Sequence, residues 1–339
     1  MRQDYLEGLI FLKKWTLRKA MNTFKVWTSF RISKMSGKSI HWGMPVTVAI
    51  EPTTACNLRC PECPSGLRAF TRPTGNLRLD QFKQYLDPLK NHLSNLIFYF
   101  QGEPFINPEL LNMVRHAHQL NIYTSSSTNA HFLDEDTCEK IVRSGLDRLI
   151  LSIDGLTQES YEQYRIGGDL VKVLQGTKNL VAAKEKLKSK TPFLVFQFLV
   201  VRHNEHEIEE LKTLAKELGV DKIELKTAQV YNYVHGSKLI PEQEVYSRYQ
   251  KKEDGTFQIK NPLHNECWRM WQGCVITWDG RVVPCCFDKD ADHQLGKLGT
   301  SDFLSIWRGK NYKAFRQSIL KGRDQIDICR NCTEGTTTG

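Results

Sequence analysis

The sequence predicts an α/β protein made of parallel β-α units, followed by a cysteine-rich C-terminal segment. From residue 46 onward, short apolar runs typical of strands alternate with stretches that have helical spacing. Nine of the ten cysteines fall into three clusters, at 56–63, 267–286 and 329–332. The six predicted strands are Val46–Glu51, Leu96–Gln101, Ile122–Ser126, Arg148–Ile153, Phe193–Val201 and Lys222–Ala228.

Helix boundaries follow from local signals between these strands. Asp134 precedes the helical stretch 135–143, and further helices are predicted over 81–91 and 109–119. Asn204 with Glu207 three positions later has the outline of a capping box, and Gly219 ends that helix. Such units form either an open doubly wound sheet or a barrel, and the pattern alone does not choose.

The basic charge is concentrated at the N-terminus. Residues 1–40 hold nine Lys or Arg against two acidic residues, while the net charge of the whole chain is +9. A nucleic-acid footprint spread over a domain is therefore not supported. These residues predict a basic amphipathic helix, which either contacts an anionic membrane surface or an acidic partner, or packs on the catalytic domain with its charges in solvent. We favour the packed helix.

The composition also indicates the cellular compartment of the protein. No secretory apolar segment stands at the N-terminus, and no apolar run approaches the roughly 18 residues that a membrane span needs. Clustered cysteines in such a chain indicate metal ligands in a reducing compartment, so we expect a cytoplasmic protein.

Three thiols stand within eight residues after the first predicted strand. They are Cys56, Cys60 and Cys63, with Cys-x3-Cys-x2-Cys spacing. A [4Fe-4S] cluster held only by protein takes four thiolates, so a compact set of three leaves one iron open for chemistry. Two alternatives stay open at this point: a zinc site completed by a distant fourth ligand, and reduced structural thiols.

This spacing resembles the signature of the radical S-adenosylmethionine (SAM) enzymes. The resemblance implies an open, partial (β/α)6 barrel of the TIM type. It also implies that SAM chelates the open iron and is cleaved by one electron to a 5′-deoxyadenosyl radical, which abstracts a hydrogen atom from the substrate. An electron donor such as flavodoxin or ferredoxin is then an implied partner.

The resemblance also implies SAM-binding residues at the ends of later strands. Gln101-Gly102-Glu103-Pro104 is similar to the family's Gly-Gly-Glu-Pro element, which receives the amino group of SAM, with Gln101 replacing the first glycine. Glu62 departs from the family, which usually has an aromatic residue there. The remaining implied contacts are Asn129, Ser152, Asp154 and Arg165, each of which has an ordinary structural alternative.

The C-terminal cysteines supply a second ligand set. Asp279-Gly280 between two β-rich runs predicts a hairpin, and helices are predicted over 303–307 and 312–320. The segment resembles SPASM-type auxiliary domains, and its shorter twitch relative more closely. Four thiolates bind an auxiliary [4Fe-4S] cluster or zinc equally well on spacing alone. The predicted ligands are Cys267, Cys285, Cys329 and Cys332, with Cys274 and Cys286 spare or one of them substituting, and Cys138 a packed thiol.

The predicted organisation is an N-terminal extension over 1–45, a radical SAM core over 46–230, a linker or substrate loop over 231–266, and the auxiliary domain over 267–335. We expect a radical SAM enzyme that oxidises or modifies a peptide or protein. The alternatives are a small-molecule sugar or alcohol dehydrogenase and, in another class, a non-catalytic iron-sulfur or zinc adaptor. No general base stands out from the surface residues.

Overall fold

A computed structural model describes residues 2–332, with side chains from residue 5 onward. The predicted α/β class is confirmed, because helices alternate with strands that pair mostly in parallel. The helices are α1 Arg2–Leu12, α2 Leu17–Ser36, α3 Pro64–Leu67, α4 Leu79–Leu86, α5 Leu110–Gln119, α6 Glu135–Ser144, α7 Gln158–Tyr164, α8 Leu170–Lys186, α9 Ile208–Glu217, α10 Trp268–Gln272, α11 Phe303–Trp307, α12 Lys310–Gly322 and α13 Asp327–Arg330.

The strands match the six predicted ones in position, and further strands follow them. Short 3-10 turns lie at 104–106, 205–207, 244–246 and 323–325. The strands are β1 Thr47–Ile50, β2 Asn95–Ile97, β3 Tyr123–Thr128, β4 Arg148–Ser152, β5 Phe193–Val200, β6 Lys222–Thr227, β7 Tyr249–Lys251, β8 Phe257–Ile259, β9 Gly273–Ile276, β10 Arg281–Val283 and β11 Gly296–Lys297.

The chain divides into two compact units, and the first comprises the described parts of 1–7, 56–69 and 125–262. Its strands β3, β4, β5 and β6 pair in parallel in that order, with Arg148 opposite Phe193. Strand β5 is apolar at nearly every position and almost wholly buried, as expected for a parallel strand covered on both faces. The carboxyl ends of these strands place the segments that begin at Asn129 and Asp154 at one edge of the sheet.

The second unit comprises the described parts of 8–55, 70–124 and 263–339. Strand β1 pairs in parallel with β2 on one side and with β9 on the other. The hairpin predicted at Asp279-Gly280 is confirmed, since β9 and β10 pair antiparallel across it. The pairing of β9 with β1 was not predicted. Gly273 permits it, because a Cβ at this position would collide with the Thr47 carbonyl oxygen.

The stretch predicted as a linker or substrate loop contains the antiparallel pair β7–β8, and its Tyr249 packs with Val201 and Ile240. Two local predictions were wrong. Strand β2 has three residues and ends at Ile97, instead of continuing to Gln101. The capping box at Asn204 is absent, because the Asn204 amide donates to the Asp154 and Leu199 carbonyl oxygens, at 2.9 and 3.0 Å, and its Oδ1 accepts the Val201 N–H.

Helix α2 confirms the prediction of an N-terminal helix but presents an unexpected face to the protein. Its buried side chains are the apolar Val26 and Phe30 and the polar Lys19, Asn22, Ser29 and Ser33. Several large apolar side chains of the same helix are exposed instead. No helix within residues 2–332 is both long and apolar enough to span a bilayer.

A buried ion pair joins the end of β1 to the C-terminal segment inside the second unit. Arg72 donates to both carboxylate oxygens of Glu51, at 2.8 and 2.6 Å, and both side chains are almost inaccessible to solvent. The Arg72 Nε donates to the Lys289 carbonyl oxygen, and Glu51 also accepts the Trp278 N–H. Both charged groups of the pair therefore have hydrogen-bond partners, which a buried charge requires.

Candidate active site

Cys56, Cys60 and Cys63 lie together in one cluster with Leu58 and Tyr164. Cys60 is buried, while Cys56 and Cys63 are half-buried. Burial raises the pKa of the Cys60 thiol, and the Arg165 guanidinium opposes that rise. The three thiols thus share an apolar surface, with the Arg165 guanidinium beside Cys60.

The thiol loop, residues 56–63, is packed closely against the short helix α3 that follows it. A Cβ at Gly66 would lie 2.6 Å from both the Cys60 nitrogen and the Cys60 oxygen, so only glycine fits at this position. The Arg68 guanidinium donates to the Cys56 carbonyl oxygen at 2.9 Å. The loop and its thiols are therefore held before any ligand binds.

Two further contacts fasten the thiol loop within the first unit. The Asn129 amide donates to Asn57 Oδ1 at 2.7 Å, so this predicted SAM contact touches the loop itself. Glu62, the residue that departs from the family pattern, accepts the Tyr231 N–H at 3.1 Å. Sequence reasoning missed both partners, because Asn129 and Tyr231 are far along the chain from the residues that they hold.

Asp154 and Arg165 form a pair at the carboxyl end of β4. The Arg165 Nε donates to Asp154 Oδ2 at 2.5 Å, and its Nη1 lies 3.9 Å from the Cys60 sulfur. The other oxygen of Asp154 accepts the Leu199 N–H at 2.7 Å. Ser152 is buried at the end of the same strand. The structure thus brings Cys60, Asp154 and Arg165 into contact.

The predicted turn Gln101-Gly102-Glu103-Pro104 belongs to the second unit. Gly102 has φ +75°, and a Cβ there would collide with the Thr53 carbonyl oxygen and lie 2.8 Å from that of Ala55. Glu103 donates its N–H to the Ala55 oxygen at 2.7 Å, and its carboxylate accepts the Phe105 N–H. The turn is thereby bonded to the residue that precedes Cys56 in the chain, and Gly102 is required for that approach.

The four predicted auxiliary ligands lie near one another in the second unit. Burial raises the pKa of Cys285 well above its usual value, and the thiols of Cys286, Cys267 and Cys329 add to the rise. Burial also raises the pKa of Cys329 to about 11, against the nearby Arg323 and with the thiols of Cys267 and Cys332. Each of the four predicted ligands is therefore close to at least one other.

Arg323 is a residue of this site that sequence reasoning missed. It is buried, and its guanidinium donates to the Cys332 sulfur at 3.3 Å and to the Glu266 carbonyl oxygen at 2.9 Å. A fixed cation beside a thiolate set offsets its negative charge. The only signal in the sequence is a basic residue six positions before Cys329, which is too common to be read alone.

A cavity of about 160 Å³ lies within the second unit beside the predicted auxiliary ligands. Its walls are mainly apolar, and a void of this size accommodates one small ring or side chain. The spare cysteines Cys274 and Cys286 both line it, with Cys285. The other residues around it include Ala49, Ile97, Tyr99, Phe100, Arg269 and Val275.

A single metal ion would need several ligand side chains that converge on one point. Within residues 2–332, no three His, Cys, Asp or Glu side chains converge in that way. A four-iron cluster binds each thiolate at a different iron, so its ligands need no single point of convergence. Three close thiols on an apolar surface and a second set of four beside Arg323 fit two such clusters.

Two family models match the sequence. The model described as the radical SAM superfamily matches residues 50–221, which is half of the chain. The model described as SPASM, an iron-sulfur cluster-binding domain, matches residues 267–333. The second match covers all four cysteines predicted as auxiliary ligands.

Curated relatives were found for most of the chain. The PqqA peptide cyclase of Gluconobacter oxydans (strain 621H) is 31% identical over 189 residues, which are 56% of this chain and 51% of that protein. The AdoMet-dependent heme synthase of Methanosarcina barkeri (strain Fusaro) is 30% identical over 85% of this chain and 91% of its own length. The chain thus spans about half the length of the first relative and most of the second.

Among solved structures, Streptococcus suis SuiB bound to S-adenosylmethionine has the same fold. The TM-score is 0.63 at 16% sequence identity, over 90% of this chain and 75% of SuiB. Together with the two family models, this likeness confirms the predicted partial (β/α)6 barrel of the TIM type with its small C-terminal cysteine-rich domain.

Proposed function

The chain belongs to the radical SAM superfamily, and we propose that it modifies a peptide or protein substrate by hydrogen-atom abstraction. It is an enzyme that uses a [4Fe-4S] cluster and SAM, with iron-sulfur binding in its C-terminal domain. Membership of this enzyme family argues against the alternative of a non-catalytic iron-sulfur or zinc adaptor. The observation that carries the substrate proposal is the 31% identity with the PqqA peptide cyclase, which lies in an alignment of 189 residues.

In this proposal Cys56, Cys60 and Cys63 hold the SAM-binding cluster. When bound, the cluster supplies one electron to SAM, which yields the 5′-deoxyadenosyl radical that abstracts hydrogen. The protein's part is to hold its thiols in position: Gly66 allows α3 to pack on Cys60, and Arg68 and Asn129 donate to Cys56 and Asn57, the first two residues of the loop. Fixed ligands of this kind lower the cost of assembling a site.

Other residues of the core would bind SAM itself. The Glu103 carboxylate is a suitable acceptor for the amino group, and Gly102 leaves the backbone open to close approach. Arg165 would pair with the SAM carboxylate, while Asp154 holds the guanidinium in place through its 2.5 Å contact. We retain Gln101, Pro104 and Ser152 as contacts of the same ligand.

Arg165→Lys is expected to weaken SAM binding about tenfold or more, because it removes a planar donor whose charge-assisted hydrogen bond is worth roughly 1.5–3 kcal/mol. The variant keeps a positive charge beside the buried Asp154, so the fold should survive. Equilibrium binding of SAM to the anaerobically reconstituted protein measures the change. Arg143→Lys, at a mostly exposed pair with Glu139, is the matched control. Unchanged affinity in Arg165→Lys would remove Arg165 from the binding site.

Two iron-sulfur clusters predict a content of about eight iron atoms per chain. With dithionite and SAM, the reconstituted protein should form 5′-deoxyadenosine. The double variant Cys329→Ala/Cys332→Ala should retain about four irons and SAM cleavage, because it changes only the proposed auxiliary set. Iron analysis and chromatography measure both quantities. Bound zinc in place of iron would contradict the assignment of the C-terminal thiols.

The substrate class is tested by coexpression with short peptides encoded beside the gene, followed by mass spectrometry. We expect one peptide to lose mass equivalent to two hydrogen atoms, or to gain a crosslink, only with active enzyme.

A second candidate is a small-molecule substrate, which the alignment with the heme synthase over 91% of that protein favours. Peptides unchanged by an enzyme that cleaves SAM, together with an oxidised sugar or alcohol, would establish this second candidate. Flavodoxin and ferredoxin remain our proposed electron donors.

A further inference from the structure

We propose that helix α2 forms a membrane-binding surface, which attaches the enzyme peripherally to an anionic lipid bilayer. This surface is defined as the exposed apolar residues Leu17, Met21, Phe24, Trp27 and Met35 together with the basic residues beside them. It does not depend on the substrate proposed above.

The orientation of α2 is fixed by its polar side. Lys19 donates to the Asn121 carbonyl oxygen at 2.6 Å and to that of Lys14 at 3.1 Å. Asn22 exchanges two hydrogen bonds with the Met44 backbone, at 2.9 and 2.8 Å. Ser33 donates to the Ile40 oxygen at 2.7 Å. Turning the helix to bury its outward apolar residues would break all of these hydrogen bonds. The fold therefore keeps those apolar residues exposed.

The outward side of α2 carries large exposed apolar side chains. The exposed fraction is 79% for Leu17, 66% for Phe24 and 85% for Met35. Residues of a helix are about 100° apart in projection, so Leu17, Met21, Phe24 and Met35 fall in one narrow stripe, which Thr28 and Arg31 interrupt between Phe24 and Met35. Large apolar side chains grouped on one exposed side of a helix mark a surface that contacts something else.

The charges beside the stripe indicate which partner this surface binds. Helix α2 contains five basic residues and no acidic residue, of which Lys19 is buried and Lys34 is paired with Glu266. By the same helical projection, Arg18 and Lys25 lie on one side of the stripe and Arg31 lies at its other edge. A helix with an apolar stripe flanked by Lys and Arg lies in the interface of an anionic membrane, with its apolar side chains inserted and its cations at the headgroups.

The aromatic residues fit the same location. The rings of Phe24 and Trp27 stack with centroids 6.4 Å apart, and the Arg31 guanidinium lies 5.8 Å from the Trp27 ring. Tryptophan beside a cation is typical of side chains that sit at the level of lipid headgroups. The aromatic and basic residues together therefore favour a lipid surface over an acidic protein.

The test is cosedimentation of the full-length, reconstituted enzyme with lipid vesicles. We expect binding to vesicles of phosphatidylcholine mixed with phosphatidylserine, weaker binding as salt is raised, and none to phosphatidylcholine alone. No binding to the mixed vesicles, or equal binding to both compositions, would overturn the proposal. Binding to immobilised polyglutamate without binding to vesicles would overturn it in favour of an acidic protein partner.

Two variants test the parts of the surface separately. Leu17→Ser/Phe24→Ser/Met35→Ser should bind mixed vesicles roughly tenfold more weakly or worse. Arg18→Gln/Lys25→Gln should lose about fivefold per charge. The controls are Val171→Ser/Val245→Ser, at exposed apolar positions elsewhere, and Lys178→Gln/Lys216→Gln. Circular dichroism and 5′-deoxyadenosine formation should be unchanged in every variant. Equal losses in variants and controls would overturn the assignment to this surface.

Discussion

Replacing Cys56, Cys60 and Cys63 together by alanine is expected to abolish 5′-deoxyadenosine formation while leaving about four of the roughly eight irons bound. All three thiols lie in one cluster, and the loop that carries them is fastened by Gly66 packing and by Arg68 and Asn129. Removing the thiolates removes the only part of the proposed machinery that holds the SAM-binding cluster. The C-terminal set belongs to a different region of the chain and should keep its iron.

The matched control is Cys138→Ala. Its thiol is buried in α6, and its sulfur lies 3.9 Å from the Gly176 carbonyl oxygen, so it is a packed thiol of that helix. This variant should keep full iron content and SAM cleavage at some cost in stability. SAM cleavage that survived in the triple variant would show that the cluster is held elsewhere. Loss of all iron would show that the two ligand sets are not independent.

The second large effect concerns stability. Arg72→Met is expected to lower the free energy of unfolding by about 3–5 kcal/mol, because it leaves the buried Glu51 carboxylate without its counter-charge. Both side chains are almost fully inaccessible, and the pair has two short contacts, at 2.6 and 2.8 Å. The loss should appear as a lower urea midpoint with an unchanged slope.

Two further variants show whether the effect comes from the unpaired charge. The double variant Glu51→Leu/Arg72→Met should recover much of the lost stability, since replacing both members of a buried pair is often close to neutral. Lys140→Ala breaks a highly exposed pair with Asp136 and should leave the urea midpoint almost unchanged. If Arg72→Met cost no more than Lys140→Ala, the buried pair would not be a major source of stability.

Regular elements were predicted best where local signals and tertiary packing agree. Strands β4 and β5 begin at the predicted residues, because each is a long apolar run that is buried in a parallel sheet. The chain after β2 departs from the prediction because Gly102 adopts a positive φ to approach Thr53 and Ala55. The strand was predicted too long because the apolar residues continue to Phe100, whereas the backbone pairing of β2 ends earlier.

Other errors come from partners that are distant in the sequence. Asn204 has the residue type and spacing of a helix cap, but its amide bonds to Asp154, fifty positions earlier. The strands β7 and β8 have three residues each, which is too short for an alternating pattern to be recognised.

Contacts between residues that are distant in the sequence also explain what could not be predicted about the site and the N-terminal surface. The spacing of the cysteines identified the three thiols of the core, since ligand chemistry depends on residue type. The contacts of Glu62 with Tyr231 and of Arg323 with Cys332 depend on the fold and could not be foreseen. Helical spacing predicted an amphipathic α2, but hydropathy alone assigned the buried side to the apolar residues. Backbone acceptors at Met44 and Asn121 bury Asn22 and Lys19 beside the apolar Val26 and Phe30, and other apolar residues of α2 are left exposed.

The parallel pairing of β1 with β9 has a consequence for synthesis of the chain. Thr47 pairs with Gly273, about 226 positions later, so one side of β1 has no partner until most of the chain has been made. At roughly 5–20 residues per second, the ribosome needs about 10–45 s to reach β9. During that interval β1 is an open strand edge, which can pair with other nascent chains. Efficient folding in the cell should therefore depend on chaperones that cover this edge until the last quarter of the polypeptide emerges.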